Sequence, residues 1–206
     1  MSNIFNKQFC YKNPTDMGLI RRRNVFIMRS FEFAKDVETG KQAFGEAKLP
    51  EYATKYSAGA DFFCAKDVVI PSVFNFVVRT VKYWLEHGTL DGLPDNYKIQ
   101  PVLVHTGIKA NMEEDEVLEI YNRSSNPKKL GLILANSVGI IDKDYYSNPD
   151  NDGEIMFAFY NVLPFDTKLN CGDKVGQGIF KKYLRPVEGL VVKDEDRVGG
   201  FGSTGK

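Results

Sequence analysis

Arg123-Ser124-Ser125-Asn126-Pro127-Lys128-Lys129-Leu130-Gly131-Leu132-Ile133-Leu134-Ala135-Asn136-Ser137-Val138-Gly139-Ile140-Ile141-Asp142-Lys143-Asp144-Tyr145-Tyr146 opens with a cation and two hydroxyls, then crosses an almost wholly apolar run. It closes on two carboxylates and two phenols. The run 130–134 reads as a buried strand, which presents its polar ends where it meets the surface. A cation and hydroxyls facing a carboxylate suit a phosphorylated substrate and a water that must lose a proton. Arg, Ser and Asn are also ordinary turn residues, and Asp-x-Asp is a common solvated turn, so the surroundings must decide.

Outward from this stretch the chain reads as short strands, at 99–105, 117–121, 154–160 and 174–181, with turns such as Asn126-Pro127, Asn148-Pro149 and Cys171-Gly172-Asp173 between them. That pattern predicts an all-β barrel or sandwich. A first strand is expected at 25–33, preceded by a polar extension at 1–24 that ends in Arg21-Arg22-Arg23. The extension reads as a surface segment, with a small anion-binding patch as the alternative.

Residues 72–88 differ in texture. Val73, Phe74, Val77, Val78, Val81, Trp84 and Leu85 recur at steps of three and four, and Gly88 stands where a helix would stop. One amphipathic helix is therefore expected inside an insertion of about 72–97, although so many valines leave a strand as the alternative. Its apolar face is expected to pack on the domain, with a protein partner as the other possible occupant.

Composition narrows the function. Lys plus Arg and Asp plus Glu both number 27, so no basic field recruits nucleic acid. The 206 residues, 43% hydrophobic and 26% charged, suit one soluble domain with an ordinary core. Cys10, Cys64 and Cys171 have no metal-ligand spacing, which argues against a structural zinc site or a disulfide framework. No run approaches the roughly 18 apolar residues that span a bilayer, and no signal-peptide core is evident, so the cytosol is the expected location and a membrane is not a partner.

Two further stretches carry chemistry. Ser57-Ala58-Gly59-Ala60-Asp61-Phe62 places small residues, which let the backbone approach something closely, before an Asp that could serve a hard cation or cap a turn. The tail Arg197-Val198-Gly199-Gly200-Phe201-Gly202-Ser203-Thr204-Gly205-Lys206 is too rich in glycine to order itself cheaply. It becomes useful if a ligand offers phosphate oxygens to its amides and a flat ring to Phe201.

Taken together, these pieces resemble the five ordered motifs of the trimeric dUTP pyrophosphatase (dUTPase) family. The first is matched by 57–62, and the second by Arg123-Ser124-Ser125 with Lys129 and Gly131. The third is matched by Asn136 with Gly139-Ile140-Ile141-Asp142-Lys143-Asp144-Tyr145, the fourth by Gly172-Asp173-Lys174-Val175-Gly176-Gln177, and the fifth by Arg197 with 200–205. The resemblance implies a β jelly roll assembled as a homotrimer, with active sites shared between subunits and the arm 197–206 closing over a neighbour's site. The β domain would then run over 25–196. It implies hydrolysis of dUTP to dUMP and pyrophosphate, with Mg²⁺ as cofactor.

By the same resemblance Asp142 holds the attacking water, and Asp61 reaches Mg²⁺ through water. Arg123, Ser124 and Ser125 take the phosphates, and Gln177 donates to the α-phosphate. Asn136 and Gly139 build the uracil pocket. Tyr145 lies on the deoxyribose, Phe201 stacks on the base, and Arg197, Gly202, Ser203 and Thr204 grip the γ-phosphate end.

The chain departs from the family in two places. Where the family has a short Arg-Gly or Gln-Gly turn after the tyrosine, this chain has Tyr146 and then adds 147–152, so the register favours Tyr145 for the sugar, with Tyr146 as the alternative. The 72–97 insertion has no counterpart. Two other readings compete. One is a dCTP deaminase, whose catalytic Glu position is Ala158 here; the other is a nucleotide-switched regulatory binding protein with little turnover.

Overall fold

The computed structural model describes residues 29–189. Strands dominate, as their short alternating runs predict. In chain order they are β1 (Ser30–Phe33), β2 (Glu51–Tyr52), β3 (Ala60–Phe63), β4 (Val68–Ile70), β5 (Val102–His105), β6 (Ile108–Asn111), β7 (Glu116–Asn122), β8 (Leu132–Leu134), β9 (Val138–Ile141), β10 (Met156–Asn161), β11 (Thr167–Leu169) and β12 (Lys174–Lys182). A five-stranded sheet has the order β2-β3-β12-β7-β9, a three-stranded sheet the order β5-β10-β8, and two pairs are β1-β6 and β11-β4. Every ladder is antiparallel. This is the jelly-roll class.

All four sheets contribute to one core, in which Phe62, Val104, Ile108, Leu118, Leu132, Phe157, Phe159 and Leu169 are buried. Its closest approach is made by glycine. A Cβ at Gly176 would stand 1.9 Å from Phe157 Cε1, and one at Gly178 would stand 2.6 Å from Phe62 Cε2. Alternation along β12 thus turns two bare backbone positions inward and leaves Gln177 on the opposite face. Because Phe157 is fully buried and cannot swing away, Gly176→Ala is expected to destabilise the fold by about 1–3 kcal/mol or more. A thermal melt unchanged from wild type would contradict that packing.

The predicted strand at 130–134 needs correction. Asn126–Leu130 forms a π-helical turn with a proline at its start, closed by Gly131 at φ 63°. The strand proper begins at Leu132, and Ile133 is 44% exposed, so only alternate positions are buried. The strand predicted at 99–105 likewise starts only at Val102, and the one at 154–160 at Met156. Of the strand predicted at 25–33, residues 30–33 form β1; residues 25–28 and the 1–24 extension lie outside the described residues.

The inserted helix α1 runs Val73–His87. Ser72 caps its N-terminus by accepting from the Phe74 amide, and Gly88, at φ 71°, closes its C-terminus by donating to the Trp84 carbonyl. These caps settle helix against strand. The expected packing of its apolar face on the domain is not found: Phe74, Val77, Val78, Val81, Trp84 and Leu85 are all about half exposed or more. The helix is instead tethered at its start, where Asp166 accepts from the Ser72 amide and the Asn75 side chain. Within the helix Tyr83 stacks on His87, and it meets the edge of Tyr97 in the segment that follows. No described helix is long and apolar enough to cross a membrane.

Candidate active site

The five-stranded sheet assembles the first cluster. Register sets Glu51, Asp61, Gln177, Tyr121 and Val138 in one row across β2, β3, β12, β7 and β9. Asp61 is 3% exposed. Its carboxylate accepts from Lys174 Nζ at 2.8 Å and Gln177 Nε2 at 3.0 Å, with Arg123 Nε at 4.0 Å. Burial by itself pushes this carboxyl up. The Lys174 and Gln177 hydrogen bonds, with the charges of Lys174 and Arg123, outweigh it and hold the group below its ordinary range, so Asp61 is an anion.

Gly59 explains why small residues precede Asp61. A Cβ there would lie 3.1 Å from Gln177 Cβ and 3.2 Å from its Oε1, so the close approach predicted from sequence is to Gln177. Lys174 was legible as part of a motif but not as a partner of Asp61. A bulge between Lys174 and Gly176 shifts the register there, and Lys174 also reaches Glu51 at 3.4 Å. Its ammonium is held above its ordinary range, chiefly by the Asp61 hydrogen bond.

Arg123 leaves the end of β7, its Nη1 donating to the Lys174 carbonyl at 3.2 Å. Ser124 is exposed and Ser125 half-buried beside it. The turn carrying them is anchored by buried Asn126, whose Nδ2 donates to Asn122 Oδ1 and to the Val175 carbonyl, both at 2.8 Å. Asn136 is exposed at the tight β8–β9 turn, where the Val138 amide donates to the Asn136 carbonyl at 2.6 Å and Ser137 takes φ 60°. Gly139 allows that turn to close. A Cβ there would meet Ile120 Cγ1 at 2.4 Å and Asn136 Nδ2 at 3.2 Å.

Asp142 stands elsewhere. It precedes the 3₁₀ turn Lys143–Tyr145 and is exposed in a cavity of about 610 Å³ lined by Glu114, Asp142, Lys143, Asp144, Tyr183 and Arg185. Ile141 pairs with Leu118, so Asp142 comes level with Val117, about six residues along β7 from Arg123. At the rise of a strand that is a separation of roughly 20 Å. A single chain therefore brings Asp61, Arg123, Gln177 and Lys174 together and does not bring Asp142 to them.

The two tyrosines differ. Tyr145 is 5% exposed; its amide donates to the Asp142 carbonyl at 3.1 Å and its hydroxyl to the Glu154 carbonyl at 3.1 Å. Tyr146 donates to Glu32 Oε2 at 2.7 Å, beneath Lys109, whose Nζ is 4.6 Å from its ring centre. Burial, then the Glu32 hydrogen bond and charge, push the Tyr146 phenol up to about 12. Arg197, Phe201, Gly202, Ser203 and Thr204 lie outside the described residues.

A jelly roll that mounts an anionic Asp between cations and an amide at one sheet end, and a second carboxylate in a cavity at the other, defines a hydrolase of phosphorylated substrates. The sequence matches the family model described as dUTPase over residues 96–205, more than half of the chain. It is 38% identical over 157 residues to the deoxyuridine 5'-triphosphate nucleotidohydrolase of Lactococcus lactis, covering 76% of this chain and 87% of that one. The corresponding protein of Rickettsia prowazekii is 33% identical over 160 residues, covering 76% and 88%. The crystal structure of dUTPase from Streptococcus mutans superposes with a TM-score of 0.56 at 32% identity, covering 77% of this chain and 98% of that one. The chain belongs to the dUTPase family. The matched span of the family model begins just after α1, so the insertion separates the Asp61 stretch from it.

Proposed function

We propose that the protein hydrolyses dUTP to dUMP and pyrophosphate, at sites completed by neighbouring copies in a homotrimer. The observation that carries this reading is the cluster of Asp61, Lys174, Gln177 and Arg123, joined through Asp61 within 2.8–4.0 Å. It supplies fixed cations and an amide for a polyphosphate, and positioned charges of this kind are the main catalytic resource in phosphoryl transfer. Arg123, with the Ser124 and Ser125 hydroxyls, holds the phosphates that leave. Gln177 donates to the α-phosphate. The water is held and deprotonated by Asp142 of another copy, a reading supported by the roughly 20 Å between Asp142 and Arg123 in one chain.

Asn136 and the turn opened by Gly139 read the uracil edge, leaving cytosine's amine unpaired. Tyr145, three residues after Asp142, takes the sugar with its ring, its hydroxyl being held by Glu154 and Asn151 at the far end; Tyr146 is directed instead to Glu32 and Lys109. The arm with Arg197, Phe201, Gly202, Ser203 and Thr204 closes the site.

Among the described residues no three carboxylate, His or Cys groups gather to hold a metal directly. Both Asp61 oxygens already accept hydrogen bonds, which fits Mg²⁺ held through its water shell, as a reluctantly dehydrating ion prefers. When bound, Mg²⁺ would neutralise phosphate charge.

Pyrophosphate release should be greatest with dUTP, fall by at least about 10²-fold with dCTP and UTP, and be lost with chelator. Ammonia release from dCTP would favour a deaminase. Against that stands Ala158, a buried methyl on β10 where the deaminases carry their base. The exposed stripe of α1 favours a second role, contact with another protein. In that case Val81→Glu abolishes the complex and keeps dUTP turnover, and loss of turnover alone would refute it.

A further inference from the structure

Between Tyr145 and β10 the chain makes the detour 146–153. Ser147 and Asp152 take φ 57° and 55°, a left-handed backbone that a residue with a Cβ keeps only where its surroundings impose it. Those surroundings are visible. Buried Lys109 of β6 places Nζ 3.0 and 2.9 Å from the Asp152 carboxylate and 3.3 Å from Ser147 Oγ. The Lys35 amide donates to Asp152 Oδ2 at 2.8 Å.

The detour is also folded back on the residue it leaves. The Asn148 amide donates to the Tyr145 carbonyl at 3.2 Å, and a Cβ on Gly153 would lie 2.4 Å from that same oxygen. At its far side Asn151 Oδ1 accepts from the Gly153 amide at 3.1 Å, while Asn151 Nδ2 donates to the Tyr145 hydroxyl at 2.8 Å.

We propose that Asn151 is a positioning residue that fixes the Tyr145 ring and thereby sets discrimination between deoxyribose and ribose. This rests on the reading that Tyr145 faces the sugar. The phenol has one proton to give, and it goes to the Glu154 carbonyl. Asn151 occupies the acceptor side of the same oxygen, so both hydrogen-bonding capacities of the hydroxyl are directed. A ring excludes a 2′-hydroxyl by contact only if it cannot tilt away, and a tether at its far end removes that freedom.

The full-length protein is assayed for kcat and KM with dUTP and UTP. Asn151→Ala should raise the UTP to dUTP ratio of kcat/KM by about tenfold, with kcat for dUTP falling no more than about threefold. A purely structural role would lower turnover of both nucleotides alike. Asn151→Ser, too short to reach the phenol but still offering an acceptor to the Gly153 amide, should behave the same way and guards against loss of folding. In a Tyr145→Phe background, where the hydroxyl is gone, Asn151→Ala should add nothing. If both Asn151 variants keep wild-type selectivity while Tyr145→Ala loosens it, Asn151 has no such role. Wild-type selectivity in Tyr145→Ala would remove the sugar reading, and the proposal with it.

Discussion

Asp142→Asn is expected to lower dUTP turnover by about 10²–10⁴-fold, the range for loss of a positioned general base. The change is nearly isosteric. The amide can still hold a water, but it cannot take its proton, so dUTP binding should stay within a few fold of wild type. Steady-state pyrophosphate release, measured beside direct dUTP binding, separates the two effects. Asp144 is the internal control. It lines the same cavity two residues along, and Asp144→Asn should fall well short of the Asp142 effect. Equal turnover in wild type and Asp142→Asn would require the base to be found elsewhere.

The role of position decides how much of this site could be read from the chain. Alternation and turn residues suffice for most strands, and steps of three and four suffice for α1, because each is a local property of the backbone. What covers α1 is not local. Periodicity announces an apolar face and says nothing of whether the domain reaches it, and here the domain does not. The 130–134 run failed for a related reason. Apolar content suggests burial on both faces, but Asn126 and Gly131 impose a helical turn and a left-handed closure that shorten the strand.

Long-range pairings were the least legible. Asp61 and Gln177 are 116 residues apart, and only their β3–β12 register makes them neighbours. Lys174 joins them at a bulge, which leaves no reliable mark in sequence. Lys109 and Asp152 form a part-buried ion pair across 43 residues that brings order to a loop whose composition, Ser-Asn-Pro-Asp-Asn-Asp, reads as solvated turn. In that loop Asn151 looks like any other turn residue until its partner is seen to be Tyr145.

Subunit sharing predicts an effect that no single substitution can produce. Asp142→Asn and Arg123→Ala proteins should each be nearly inactive alone, and co-expression of the two should restore turnover. Where one copy supplies Arg123 and the next supplies Asp142, a ring of randomly mixed subunits contains intact pairings at roughly a quarter of its sites. Activity near that fraction of wild type is therefore expected, from parents lower by about 10²-fold or more. A site built within one protomer would gain nothing from mixing, because every site would still carry one of the two lesions. Recovery would place the roughly 20 Å separation of Asp142 from Arg123 at the centre of the enzyme's architecture, since strand rise forbids one chain from presenting both groups to the same phosphate. No recovery from a verified mixed assembly would mean that Asp142 and Arg123 do not act on one substrate across an interface.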